Sequence, residues 1–210
     1  MADSAPASLV AIAARVEARL REFLEPEQAR WAQFDSDLAE PIAHIGRLVL
    51  AGGKRLRPAF CHWGFVGAGG DPADPMIINA GAAFELMHAF ALFHDDVMDD
   101  AASRRGNATT HAVFAERHRE QGWAGEARRF GEGVAILVGD LAFVYSDMMM
   151  AGASSAAWAI WNELRIVSIS AKCSTSRAAC VTNAVDKRPN RSVATRVAST
   201  QSSDRCISVQ

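Results

Sequence analysis

Acidic and basic side chains are concentrated in one short stretch of this sequence. They are the carboxylates of Asp95, Asp96, Asp99 and Asp100 and the guanidinium groups of Arg104 and Arg105. On a helix, Asp95 and Asp99 lie one above the other, with Asp96 beside them. Such like charges repel unless a divalent cation binds between them, and Mg²⁺, which takes a few carboxylates with water and phosphate oxygens, suits the arrangement. The arginines could bind the phosphate from its other side.

A solvated helix end is the alternative interpretation of this stretch, because acidic runs usually face water. Two observations favour a binding site instead. An apolar run at residues 89–93 precedes the aspartates, so they end a helix that is predicted to be buried. A second motif of the kind that binds phosphate also lies upstream.

The second motif is Gly-Gly-Lys-Arg-Leu-Arg-Pro at residues 52–58. Paired glycines let the backbone approach a ligand closely, and Pro58 suits the first turn of the next helix, whose N-terminus carries a partial positive charge. A basic loop before a helix is weak support alone. Together with the aspartate cluster, it predicts two diphosphate sites, one held by cations and the other through metal.

Four motifs of the chain resemble those of the trans-isoprenyl diphosphate synthases, the polyprenyl synthetase family that includes geranyl, farnesyl and geranylgeranyl diphosphate synthases. The motifs are GGKRLRP at 52–58, FELMHAFALFHDDVMDD at 84–100, SRRGNATTH at 103–111 and GDLAF at 139–143. Their order and separations agree with the family over roughly residues 8–165. The resemblance implies a prenyltransferase with an all-α, isoprenoid-synthase-type helical bundle, incomplete at the C-terminus.

The resemblance also implies a role for each matching side chain. The residues that match isopentenyl diphosphate ligands are Lys54, Arg57, His88 and Arg105. Those that match the catalytic group are Arg104, which binds the allylic diphosphate, the magnesium ligands Asp95 and Asp99, and Asp96, which lines the same face. A lone histidine is more often a core residue, but His88 lies two helical turns before Asp95 on one face. His94 and His111 are interpreted as structural.

The implied reaction is the head-to-tail (1'-4) condensation of isopentenyl diphosphate with an allylic diphosphate. Magnesium and Arg104 neutralise the leaving diphosphate, and an apolar channel protects the allylic cation from water. Phe90, five residues before Asp95, would form the floor of that channel. In this family an aromatic floor goes with products of fifteen to twenty carbons. Ordinary core packing of Phe90 is the alternative.

Apolar residues recur at helical intervals along the chain, and no segment has the pattern of a strand. A first amphipathic helix is predicted to end near Pro26. Further helices are predicted at 28–38, 41–51, 58–68, 76–100, 111–120 and 133–151, with loops at 69–72 and 122–131. Ala-rich helices joined by short Gly and Pro breaks predict an all-α bundle.

Composition and charge favour a cytoplasmic protein. No basic and apolar leader begins the chain, and no stretch is expected to span a membrane. The formal net charge of −2 argues against a nucleic-acid partner, so the basic residues are better explained by diphosphates.

Residues 166–210 have a different composition from residues 1–165. They lack Leu, Gly, Phe, Trp, Tyr, Met and Glu, and they carry seven Lys and Arg against two Asp. The domain is therefore expected at 1–165, with an atypical, largely disordered tail at 166–210. A natural basic tail is one explanation. We favour a departure from the reading frame, which would make the three cysteines of this segment incidental; the coding DNA across codon 165 would decide.

The resemblance also implies a second aspartate-rich motif on a later helix, which Asp186 and Asp204 do not reproduce. Little or no prenyl transfer by the 210-residue chain alone is therefore expected. Three hypotheses follow: a short-chain prenyl diphosphate synthase by descent, a non-catalytic subunit that pairs with a complete synthase, and a class I terpene cyclase. The GGKRLRP motif counts against the cyclase, since a cyclase needs no isopentenyl diphosphate pocket. A homodimer is also possible, because family members commonly dimerise.

Overall fold

A computed structural model describes the backbone of residues 6–186 and the side chains of residues 6–175. The chain forms two compact units, which divide between Ala153 and Ser154. The elements of the first unit are α1 (Ala7–Ala32), α2 (Ser36–Leu50), α3 (Leu56–Gly67), α4 (Pro75–Met98), β1 (Ser103–Arg104), β2 (Asn107–Ala108), α5 (Thr110–Glu120) and α6 (Ala127–Met149). The second unit contains α7 (Ser155–Asp186). The prediction of an all-α fold is confirmed.

Helix α4 lies at the centre of the first unit. It packs against α1, α3 and α6, and Leu86, Ala82 and Ala83 are completely buried. By length and composition alone α4 could cross a membrane, but 56% of its most apolar stretch is buried inside the protein. Burial between other helices explains its apolar composition, because a central helix must be hydrophobic on several sides.

Glycine allows α6 to approach α5 closely. An added Cβ at Gly131 would lie 2.2 Å from the backbone oxygen of His111 and 2.9 Å from the backbone nitrogen of Ala115. Backbone atoms in a helix cannot move aside independently, so a side chain at Gly131 would push the two helices apart. Gly133, two residues further on, has no other atom within 4 Å of such a Cβ.

The substitution Gly131→Ala is therefore expected to destabilise the protein by about 1–3 kcal/mol. Gly133→Ala, the matched control on the same helix, should stabilise it by about 0.5–1 kcal/mol, because alanine is the better helix former. Chemical denaturation of both variants measures the difference. Equal effects would show that α5 and α6 are not in close contact at Gly131.

Several predicted boundaries are wrong. Helix α1 continues through Pro26 to Ala32 instead of ending at the proline, so no separate helix covers 28–38. Beyond the proline, Glu27 accepts a hydrogen bond from the Tyr145 hydroxyl at 3.3 Å, and such tertiary contacts offset the roughly 3 kcal/mol that an internal proline costs. Helix α2 begins at Ser36 instead of 41. Helix α6 begins at Ala127 instead of 133, so the predicted loop at 122–131 is helical from Ala127 onward. The predicted loop at 69–72 is confirmed, since it lies between α3 and α4.

The prediction of no strand is also wrong. Residues 103–108 form a short antiparallel hairpin, in which Ser103 pairs with Ala108 and Arg104 pairs with Asn107. Alternation of apolar and polar residues cannot reveal strands of two residues, so the signal lies in the turn. Arg105 and Gly106 have φ angles of 51° and 81°, the geometry of a two-residue hairpin turn that favours glycine.

The second unit differs from the predicted tail. Helix α7 continues to Asp186, so residues 166–186 are helical instead of disordered. Residues 155–186 contain neither Gly nor Pro, and nothing in their sequence interrupts a helix. Two apolar side chains in the middle of this helix are nevertheless exposed: Ile166 by 61% and Val167 by 55%. Residues 187–210 of the predicted tail lie outside the described part of the chain.

Candidate diphosphate site

A cavity of about 160 Å³ lies between the loop that joins α2 to α3, the middle of α4, and the hairpin. Its lining includes the four side chains that the sequence assigns to isopentenyl diphosphate, namely Lys54, Arg57, His88 and Arg105. These residues come from three separate segments of the sequence, and the fold brings them together. Among the residues that the structure describes, Lys54, Arg57 and Arg105 have no ion-pair partner. The cavity is therefore a concave site with uncompensated positive charge.

Glycine is required in the loop that carries Lys54. Gly52 and Gly53 have φ angles of 84° and 143°, in the region that L side chains rarely adopt. A side chain at either position would strain the turn. The loop thereby leaves Lys54 and Arg57 exposed at the rim of the cavity.

Arg55 has a structural position that the sequence did not indicate. Arg55 is the middle of the three cations of the GGKRLRP motif, but it is 6% exposed and forms ion pairs with Glu17 and Glu85. The only signal in the sequence is Glu85, a carboxylate inside the apolar segment that becomes α4.

The hairpin separates the two predicted arginine ligands. Arg105 lies at the turn and lines the cavity. Arg104 instead pairs with Asp96, whose Oδ1 lies 2.8 Å from Arg104 Nε and 2.7 Å from Nη2. Asp96 is 5% exposed, so its carboxylate faces Arg104 within the protein and does not share the solvent-facing position of Asp99. This hydrogen bond also raises the pKa of Arg104.

Asp95 and Asp99 lie one turn apart at the C-terminal end of α4. Asp95 is half-buried and Asp99 is exposed; the amide N–H of Asp99 donates to the Asp95 carbonyl at 2.8 Å. No group of three or more His, Cys, Asp or Glu side chains is arranged for a metal ion within the described residues. Mg²⁺ is usually held by one or two carboxylates with waters and substrate phosphates. Two hard oxygen donors at this spacing fit that mode of binding.

Asp95, Asp99 and Arg104 do not line the cavity. They nevertheless share an electrostatic environment with it through His88. Burial, together with the charges of Arg57, Arg105 and Arg104, lowers the pKa of His88 from 6.5 to about 4, whereas Asp95 acts in the opposite direction. His88, which lines the cavity, is therefore neutral at pH 7.

A second histidine with the same shift lies outside this site. His44 on α2 is buried, and its Nδ1 lies 3.1 Å from Thr110 Oγ1. Burial lowers its pKa from 6.5 to about 4, with smaller effects of Arg47 and Arg117 in the same direction. The folded protein therefore favours the neutral imidazole.

Acid is expected to destabilise the fold through His44. Below about pH 6.5 the unfolded chain binds a proton that the folded chain does not bind until about pH 4, so stability is complete above that interval and falls as the pH decreases through it. The expected loss for this group is about 2 kcal/mol between pH 7 and pH 5. Urea unfolding at the two pH values measures it. His44→Asn should reduce the pH dependence by that amount; an unchanged dependence would contradict the assignment.

Phe90 faces the GDLAF segment of α6. Its ring centroid lies 4.8 Å from that of Phe143 and 4.7 Å from that of His94. The latter imidazole contacts the carbonyl of Ile136 at 3.1 Å and packs over Gly139, where a Cβ would lie 2.4 Å from it. This environment supports the structural interpretation of His94, and it places Phe90 in an aromatic cluster between α4 and α6.

A larger groove, of about 440 Å³, lies on another face of the first unit. The sequence did not predict it, because it is assembled from distant apolar residues with no shared motif. Its walls are mainly apolar, from Trp31, Pro41, Ile42, Phe114, Trp123, Phe130, Val134, Leu137 and Leu141. Glu40 and Arg117 pair with one another at its edge.

Comparison with known proteins identifies the family of the chain. A sequence model of the family described as polyprenyl synthetase matches residues 38–186, and the chain belongs to that family. A solved structure, geranylgeranyl pyrophosphate synthase from Corynebacterium glutamicum complexed with isoprenyl diphosphate and magnesium, is 33% identical with a TM-score of 0.63, over 70% of this chain and 43% of that one.

Curated relatives of the chain are also prenyl diphosphate synthases. The chain is 35% identical to a short chain isoprenyl diphosphate synthase of Methanothermobacter thermautotrophicus, over 59% of this chain and 33% of that protein. It is 36% identical to a probable farnesyl diphosphate synthase of Bradyrhizobium diazoefficiens, over 66% of this chain and 35% of the relative. Geranylgeranyl pyrophosphate synthase 12 of Arabidopsis thaliana is 39% identical over 50% of this chain and 26% of its own length. The matched region therefore spans about a third of these relatives.

Proposed function

We propose that the first unit carries the isopentenyl diphosphate site of a short-chain prenyl diphosphate synthase. The observation that carries this proposal is the cavity where Lys54, Arg57 and Arg105 converge, none of which forms an ion pair with another described residue. A diphosphate supplies the missing negative charge, and charge-assisted hydrogen bonds to it are among the strongest that a protein makes. Neutral His88 contributes a hydrogen bond from the wall of α4.

The proposed reaction joins isopentenyl diphosphate to an allylic diphosphate. The bond between C1 and oxygen of the allylic substrate breaks, and the electron pair leaves with the diphosphate. The double bond of isopentenyl diphosphate then attacks C1, and loss of a proton from its C2 restores a double bond. The product is a prenyl diphosphate longer by five carbons.

Asp95 and Asp99 are proposed to hold Mg²⁺, with Arg104 nearby. When bound, the metal would supply positive charge to the leaving diphosphate of the allylic substrate. The guanidinium of Arg104 adds fixed charge, and Asp96 holds it by two contacts to the same carboxylate oxygen. Phe90 is proposed to limit the product to fifteen to twenty carbons, because its ring fills the space between α4 and α6.

A non-catalytic subunit of a complete synthase is the second candidate, and one observation favours it. The groove between α2, α5 and α6 has an apolar lining and leaves Leu137 67% exposed, which is typical of a surface that another protein covers. A homodimer would use the same surface. A class I cyclase is disfavoured, because the cation cavity has no purpose there. The cytoplasm is the proposed location, without nucleic-acid partners.

Ligand binding tests the proposal directly. Calorimetric titration of the purified chain should show binding of isopentenyl diphosphate without metal, and of geranyl diphosphate with Mg²⁺. A cyclase would bind only the allylic compound, so absence of isopentenyl diphosphate binding would contradict the synthase assignment. Product analysis with the chain alone and with a complete synthase then distinguishes the catalytic role from the subunit role.

A further inference from the structure

Arg55 bridges four segments of the first unit from a buried position beside the cavity. Its side chain is 4% exposed. The guanidinium donates to Glu17 Oε1 on α1, at 3.0 Å from Nη2 and 3.2 Å from Nε. It also donates to Glu85 on α4 and to the carbonyl of Val49 in α2. All three of its nitrogens are engaged within the protein, so Arg55 is poorly placed to bind a ligand itself.

The backbone of Arg55 is held in an uncommon conformation. Its φ of 46° lies in the left-handed region, which non-glycine residues adopt at a cost and keep only where the surroundings enforce it. The residue stands at the start of α3, between Lys54 and Arg57. The bonds of its side chain therefore fix the turn that presents both cations to the cavity.

Arg55 also compensates a charge in the cavity wall. Glu85 has a side chain that is 8% exposed, and it lines the same cavity as Lys54. An unpaired carboxylate at that position would repel a diphosphate and would cost free energy through its burial. Pairing with Arg55 removes most of this repulsion.

We propose that Arg55 is a positioning residue for the diphosphate site: it fixes the turn that carries Lys54 and Arg57, and it neutralises Glu85. This inference rests on the proposed function of the cavity. The affinity of the cavity for a diphosphate would then depend on Arg55, although Arg55 does not contact the ligand.

The test uses the full 210-residue chain and inorganic pyrophosphate, titrated calorimetrically at a temperature where circular dichroism shows each variant to be folded. Arg55→Met is expected to weaken binding about tenfold or more. Adding Glu85→Gln to Arg55→Met is expected to recover affinity at least threefold, because the repelling charge is gone. The matched control is Arg19→Met, which removes another link between α1 and α4, the 2.7 Å hydrogen bond to Asn79; its affinity should stay within twofold of wild type.

The outcomes separate the two proposals. If Lys54→Ala and Arg57→Ala weaken binding but Arg55→Met does not, the role of Arg55 is overturned and the cavity keeps its function. If none of the three weakens binding, the function of the cavity is overturned as well. If Arg55→Met weakens binding and Glu85→Gln restores nothing, neutralisation of Glu85 is refuted. Should Arg55→Met fail to fold, Arg55→Lys replaces it: wild-type affinity would overturn the positioning role, and a threefold loss would support it.

Discussion

The double variant Lys54→Ala, Arg57→Ala is expected to lose at least 100-fold in affinity for isopentenyl diphosphate. Both side chains line the cavity, and both are exposed at its rim without an ion-pair partner among the described residues. A hydrogen bond to a charged group contributes about 1.5–3 kcal/mol, so losing two of them exceeds 100-fold. Because neither cation supports the fold through an ion pair, stability should change little. Isothermal titration calorimetry and thermal unfolding measure the two quantities.

The matched control for this variant is Arg21→Ala. Arg21 is an exposed arginine on α1 that does not line the cavity, so its removal changes the net charge without changing the site. Affinity within twofold of wild type is expected. A similar loss in the control would mean that the net charge of the protein, and not the cavity, attracts the diphosphate.

The double variant Asp95→Asn, Asp99→Asn should abolish the effect of Mg²⁺ on binding of geranyl diphosphate. Asparagine keeps the shape of each side chain but removes the negative charge that a hard divalent cation requires. Titration with and without Mg²⁺ measures the effect, and isopentenyl diphosphate serves as the internal control, since its cavity contains neither aspartate.

Asp100→Asn is the comparison that separates a metal site from general acidity. The side chain of Asp100 is 70% exposed, and its Oδ1 lies 3.9 Å from Nη2 of Arg128. Arg128 is not one of the residues assigned to the site. The Mg²⁺ effect should persist in this variant. If Asp100→Asn removed it to the same extent, the assignment to Asp95 and Asp99 would be wrong.

The helices that position the site could be predicted from sequence because their signals are local. Short sequence motifs also indicate the residues of the site. They are the glycines and cations of GGKRLRP, the segment from His88 to Asp99, and the adjacent Arg104 and Arg105. The sequence predicts that Lys54, Arg57, Asp95 and Asp99 converge on one cavity. Lys54 and Arg57 do line a cavity, together with His88 and Arg105. Asp95 and Asp99 do not line that cavity, so this part of the predicted convergence is not observed among the described residues.

The features that sequence could not predict depend on tertiary contacts. Arg55 has the same charge as its neighbours, and only the positions of Glu17 and Glu85 turn it inward.

A proline normally ends a helix, but packing of α1 against the rest of the unit, including Tyr145, overrides that preference at Pro26. The pairing of Arg104 with Asp96 needs the hairpin turn. The composition of residues 166–210 suggested disorder, yet residues 155–186 contain neither Gly nor Pro and form a helix. The side chains of residues 166–175 in that helix are mostly exposed.

A crystal structure of the chain soaked with isopentenyl diphosphate is the most direct test of the central claim. We predict that the diphosphate lies in the cavity, with its oxygens within hydrogen-bond distance of Lys54, Arg57 and Arg105. His88 should donate to the same group, and Arg55 should keep its bonds to Glu17 and Glu85. A diphosphate bound elsewhere, with this cavity lacking ligand at a saturating concentration, would contradict the account.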